Sequence, residues 1–156
     1  MKYAFLVCSV WVLFSCSKES LEVDSTEIPE TKNIVAVEQA LLNAVNEHRI
    51  AMGQNTLEFS EVAYEHANTH NAYMIANGDL SHDNFSSRAS ALASQTNAEF
   101  VAENVAKDYD TATAAFQGWL ASSNHKQTME GEFTHTAVSV KEDGYGNYFF
   151  TQLFYR

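Results

Sequence analysis

Six histidines supply most of the candidate chemistry of this 156-residue chain: His48, His66, His70, His82, His125 and His135. Imidazole titrates near neutrality and is a common metal ligand. His66 and His70 stand four apart and share one helical face. That spacing is half of the zinc-protease helix, which needs Glu directly after the first His. Ala67 occupies that place, so the general base is missing and the pair reads as one surface and one packed histidine. Ser81-His82-Asp83 holds the letters of a hydrolase triad, but adjacent residues cannot form one, because a triad is assembled from distant segments. Gly-x-Ser-x-Gly is absent, and Ser122-Ser123 has no oxyanion-hole sequence beside it, so serine hydrolysis is set aside.

Elements must carry these residues. Ile34, Val37, Leu41, Val45, His48 and Met52 recur at three and four, one face of a helix stopped by Gly53. Ser60 is placed to cap a second helix with Ala63, Ala67, His70 and Met74 inward, ending at Asn77-Gly78. A third helical piece runs near Asn84 to Ser94. A fourth starts from Asp110 as cap, with Ala114, Ala115 and Trp119 inward. The period then changes. Thr134 to Val140 and Tyr148 to Phe154 are rich in β-branched and aromatic residues, and Asp143-Gly144-Tyr145-Gly146-Asn147 between them signals a turn. Helices first and an antiparallel hairpin last predict an α+β layered domain.

Five short motifs fall where these elements meet: Leu80-Ser81-His82, Ala102-Glu103-Asn104-Val105-Ala106, Trp119-x-x-Ser122-Ser123-Asn124-His125, Phe133-Thr134-His135 and Thr151-Gln152-Leu153-Phe154. Their joint order resembles the CAP superfamily, or SCP domain, in its short bacterial form, over residues 34–156. The resemblance implies a three-layer α-β-α sandwich with a central antiparallel sheet. It also implies a cleft where His82, Glu103 and His135 meet. The larger members carry a second glutamate three residues after the helix tryptophan; Ser122 stands there in this chain, and His125 matches a histidine of bacterial members. Ala137 and Ser139 replace glycines common after the second histidine.

Two imidazoles and one carboxylate suit zinc or another divalent cation, so His82 and His135 are the expected metal ligands, with Glu103 beside them. Without metal, a glutamate near histidine favours the charged ring and gives a pH-sensitive cleft. The same residues could instead tie loops together by hydrogen bonds. Three functions follow: a cell-envelope binding module for a small or lipid ligand, a metal-assisted hydrolase with Glu103 as general base, or a structural lipoprotein. With one glutamate of the family set altered and no complete hydrolase motif, the binding module is the preferred reading.

The chain's first fifteen residues differ from the rest. Lys2 is followed by an almost wholly apolar run from Tyr3 to Ser15, the pattern of a secretory signal peptide and too short to span a bilayer. Leu13-Phe14-Ser15-Cys16 resembles a bacterial lipoprotein cleavage signal. Cleavage there would leave Cys16 as an acylated first residue, holding the protein to a membrane of the bacterial envelope; with Cys16 an ordinary leader residue, the protein would instead be secreted free. Cys8 would leave with the leader, so no cysteine would remain for a disulfide. Ser17 to Lys32 is polar and aperiodic and reads as a tether, which puts the folded domain at 34–156. Twenty acidic residues against nine basic give a net charge of -11, which argues against nucleic acid as a partner.

Overall fold

The computed structural model describes residues 31–156. The leader, Cys16 and nearly all of the tether lie outside the described residues. Within them the order is β1 Lys32–Asn33, α1 Val35–Ala51, β2 Glu58–Phe59, α2 Glu61–Asn77, α3 Phe85–Thr96, β3 Val101–Lys107, α4 Ala112–Ala121, α5 Ser123–Met129, β4 His135–Glu142 and β5 Tyr148–Tyr155.

The hairpin β4–β5 is the centre of the sheet. β5 pairs antiparallel with β4 on one side and with β3 on the other, so His135, Tyr155 and Val101 form one row and Ala137, Leu153 and Glu103 the next but one. β1 adds antiparallel to the far end of β4's outer edge, and β2 adds parallel to its near end. Side chains alternate across the sheet. Phe150, Phe154, Val138 and Val140 face α1, α4 and α5, in a core with Leu41, Val45, Trp119 and Met129. Ala137, Leu153 and Tyr155 face α2 and α3, against Ala63, Ala67 and Leu92. The result is the expected α-β-α sandwich.

Local rules explain most boundaries. Ser60 accepts the Ala63 amide at 3.3 Å, and α2 ends at Gly78 in the left-handed region, φ 75°. The cap of α4 is Thr111 rather than Asp110, because the Thr111 hydroxyl reaches the Ala114 amide at 3.1 Å, three residues on. Ala114 is only half-buried, whereas Ala115 and Trp119 are fully inside. In α1 the inner stripe drifts: Met52 is exposed and Arg49 is buried in its stead, donating to the carbonyls of Asn55, Met129 and Gly131 at 2.7–2.9 Å. Lys32 and Asn33 are not tether but strand. Their pairing with β4 uses backbone groups, which an apolar period does not reveal.

Candidate functional site at the β3 edge

β3 is an edge strand, and its Glu103 side chain points toward α2 and α3. The carboxylate is 1% exposed. Such burial demands partners. Arg88 of α3 supplies the main one side-on, with Nε donating to Oε2 at 2.7 Å and Nη2 to Oε1 at 2.9 Å. Its Nη1 also donates to the Asp83 carbonyl at 3.1 Å, which ties α3 to the loop carrying His82.

His82 completes the arrangement. Its Nδ1 lies 2.9 Å from Glu103 Oε1, and its ring is 52% exposed. A proton on Nδ1 donated to the carboxylate leaves Nε2 as the ring's lone-pair nitrogen. Among the described residues Nε2 has no hydrogen-bond partner. His70 lies behind, with Nε2 donating to the Ser81 carbonyl at 2.8 Å and standing 3.9 Å from Glu103 Oε1. Burial pulls the His70 pKa below its ordinary value; Glu103 opposes that shift and Arg88 adds to it. His70 is therefore held neutral, with its proton on Nε2.

On the other face of β3, Asn104 donates to the His125 carbonyl at 3.0 Å, which fixes α5 against the strand. The His125 ring sits 6.5 Å from Trp119. Its pKa is lowered, first by burial and then by the neighbouring His82.

His82, Glu103 and His125 thus gather at one edge. His135 does not join them in a shared bond. Its Nδ1 is 2.8 Å from the Thr134 hydroxyl, its Nε2 is 3.6 Å from Glu58, and its ring stacks on Tyr155 at 4.8 Å. The sheet itself explains the separation: β5 lies between β3 and β4, a gap of about 10 Å at ordinary strand spacing. Among the described residues no three His, Cys, Asp or Glu side chains form a group able to hold a metal. Glu103 is already neutralised by Arg88, so the donor set does not fit a zinc centre with three protein ligands.

The His66 and His70 pair behaves as its sequence suggests. His70 is packed, and His66 is half-buried at a groove of about 310 Å³ beside Tyr73 and Arg88. Sequence reasoning missed Arg88. It is the one charged residue of α3, FSSRASALASQT, and that isolation is the only signal the sequence offered for it.

The fold is an α-β-α sandwich with Glu103 on its edge strand and His82 on the loop between α2 and α3. The chain matches the family model described as the cysteine-rich secretory protein family, CAP, over residues 42–154, and it belongs to that family. An outer surface protein of Borrelia burgdorferi superposes with a TM-score of 0.74 at 15% identity, covering 82% of this chain and 98% of that one. An extracellular SCP-domain protein of Bacillus anthracis gives 0.69 at 26% identity, covering 78% of this chain and 41% of that one. A cysteine-rich secretory protein of Staphylococcus aureus gives 0.67 at 14%, covering 78% and 38%. The chain therefore spans about two fifths of the latter two. No curated protein matches it.

Proposed function

We propose that the protein is an exported, non-enzymatic binding module of the bacterial envelope, with His82 as the contact group of its site. The observation that carries this reading is the state of Glu103. Both of its oxygens are engaged by Arg88, and the carboxylate is shut away from solvent. A general base must reach the proton it abstracts. Glu103 instead orients His82, whose second nitrogen is left to meet a ligand beside His125. Export agrees with the apolar leader and with the extracellular or outer-surface descriptions of the similar structures. Acylation of Cys16 would hold the domain at the membrane; Cys16→Ala should then abolish acyl labelling and release the protein into the soluble fraction.

The site is tested by passing envelope extracts, lipid and polymer, over the wild-type protein, His82→Ala and His66→Ala, and identifying retained material by mass spectrometry. His82→Ala should lose the retained ligand and His66→Ala should keep it. Parallel assays with ester and peptide substrates test the enzymatic alternative. Turnover that Glu103→Gln abolishes while substrate binding persists would replace the binding module with a hydrolase.

A further inference from the structure

At the opposite edge of the sheet a second buried carboxylate lacks a cation. Glu38, in the first turn of α1, is 7% exposed. Its Oε1 accepts from Asn33 Nδ2 at 2.8 Å and from the Val140 amide at 2.9 Å, and its Oε2 accepts from the Tyr64 hydroxyl at 2.8 Å. Among the described residues no Lys, Arg or His forms an ion pair with it. Lys141 stops one side chain short, on Asn33 Oδ1 at 2.7 Å.

Glu38 lines an open groove of about 310 Å³ whose other walls are Val35, Gln39, Leu42, Phe59, Tyr64 and Val138. Val35 and Phe59 are more than half exposed. The strand register adds a second polar feature. β4 residues of even number turn their backbone groups away from β5. The Val140 carbonyl accepts from Ile34, and the Thr136 carbonyl accepts from Ser60. Val138 lies between the end of β1 and the end of β2, with no strand opposite it among the described residues. Val138 lines the groove, and among the described residues its carbonyl has no partner from β1, β2 or the loops beside them.

We propose that this groove binds an aliphatic primary amine, with the ammonium against Glu38 Oε2 and the Val138 carbonyl and the tail over Val35, Leu42 and Phe59. Each alternative cation fits less well. A carboxylate has about four lone-pair directions. Three are taken, two of them on Oε1, so a guanidinium fork, which needs both oxygens, finds only one. A calcium ion asks for six to eight oxygens, more than Glu38, Gln39, Tyr64 and the Val138 carbonyl offer among otherwise apolar walls. An ammonium needs a few acceptors and leaves its chain for the walls. The volume lies at the lower end of small-ligand pockets. A net charge of -11 draws cations to the protein generally, and the groove adds the shape.

The test is calorimetric titration of the purified protein with n-octylammonium, n-octanoate and 1-octanol, with amide chemical shifts recorded in parallel. Octylammonium should bind at least tenfold more tightly than either other probe and should shift the Val138 and Phe59 amides. Glu38→Gln should remove the preference for ammonium over octanol. Phe59→Ser, at an exposed position that leaves the core intact, should weaken octylammonium severalfold without moving the melting temperature, so the proposal stands or falls even if Glu38→Gln does not fold. Equal binding of octanol and octylammonium would overturn it. So would shift changes confined to the β3 edge. A peptide with a free N-terminal leucine that binds tenfold more tightly than octylammonium would also overturn it, in favour of a chain terminus.

Discussion

Glu103 and Glu38 are buried carboxylates at opposite edges of one sheet, and they are held by different chemistry. Glu103 has a full counter-ion in Arg88, with His82 and His70 arranged around the pair. Glu38 has only neutral donors: an amide side chain, a phenol and one backbone N–H. A paired charge is satisfied and can serve as an anchor. A charge held by dipoles alone keeps unspent attraction for a cation. The first edge therefore uses its acid to aim a histidine, and the second keeps its acid for a ligand.

Removing the counter-ion should give the largest effect. Arg88→Met leaves Glu103 buried and unpaired, which costs about 3–5 kcal/mol. Urea unfolding reads this directly. The double variant Arg88→Met/Glu103→Leu should recover most of the loss, because no charge is then stranded. A single variant that loses less than about 1 kcal/mol would mean that water reaches Glu103, and the contrast between the edges would fail.

Tyr64→Phe tests the neutral holder in the same assay. It removes one hydrogen bond to a charged acceptor, worth about 1.5–3 kcal/mol. The Tyr64 pKa is raised, first by burial and then by its bond to Glu38, as expected of a hydroxyl that stays a donor. If Tyr64→Phe matched Arg88→Met in cost, neutral donors and a cation would be equivalent here, and Glu38 would have no call on an added ammonium.

Much of this was legible in the residues. Ser60, Gly78 and the Asp143–Asn147 turn carry their signals locally, and α2 and the β4–β5 hairpin lie within a residue or two of their expected ends. The motif order placed His82 and Glu103 together. β3 was not legible as a strand. Ala102, Glu103, Asn104 and Ala106 have poor β propensity, and pairing with β5 overrides it. His135 was misplaced for a related reason: sequence order says that it opens a strand, but not that β5 will stand between that strand and β3. The groove at Glu38 left no trace in the sequence, since it exists only where two short strands leave residues 137–140 of β4 without a strand partner on that side.

Acid should weaken the fold. His66, His70 and His125 all have pKa values lowered chiefly by burial. Below the unfolded value of about 6.5, the unfolded chain takes up protons that the native rings refuse, so stability falls as pH drops from neutrality toward 5. Above that value both states are neutral and these groups contribute no slope. His70 is the most buried of the three, and His70→Gln should flatten the profile most when unfolding midpoints are compared at pH 7 and pH 5. An unchanged slope in that variant would move the titration away from the β3 edge.

The smallest stability effect should come from the residue given the largest functional part. His82 is half in solvent, and its one hydrogen bond, to Glu103, contributes about 1 kcal/mol or less. Glu103 does not depend on it, because Arg88 alone occupies both carboxylate oxygens. His82→Ala should therefore shift the unfolding midpoint barely at all while abolishing ligand retention. Arg88→Met should do the reverse in order: stability falls first, and retention falls with it because Glu103 no longer aims His82. His82→Asn separates orientation from chemistry, since its amide can still donate to Glu103 yet offers no imidazole nitrogen. Retention lost in His82→Asn with stability intact would assign the binding to Nε2. Retention kept in His82→Ala would remove His82 from the site and leave the β3 edge a purely structural knot.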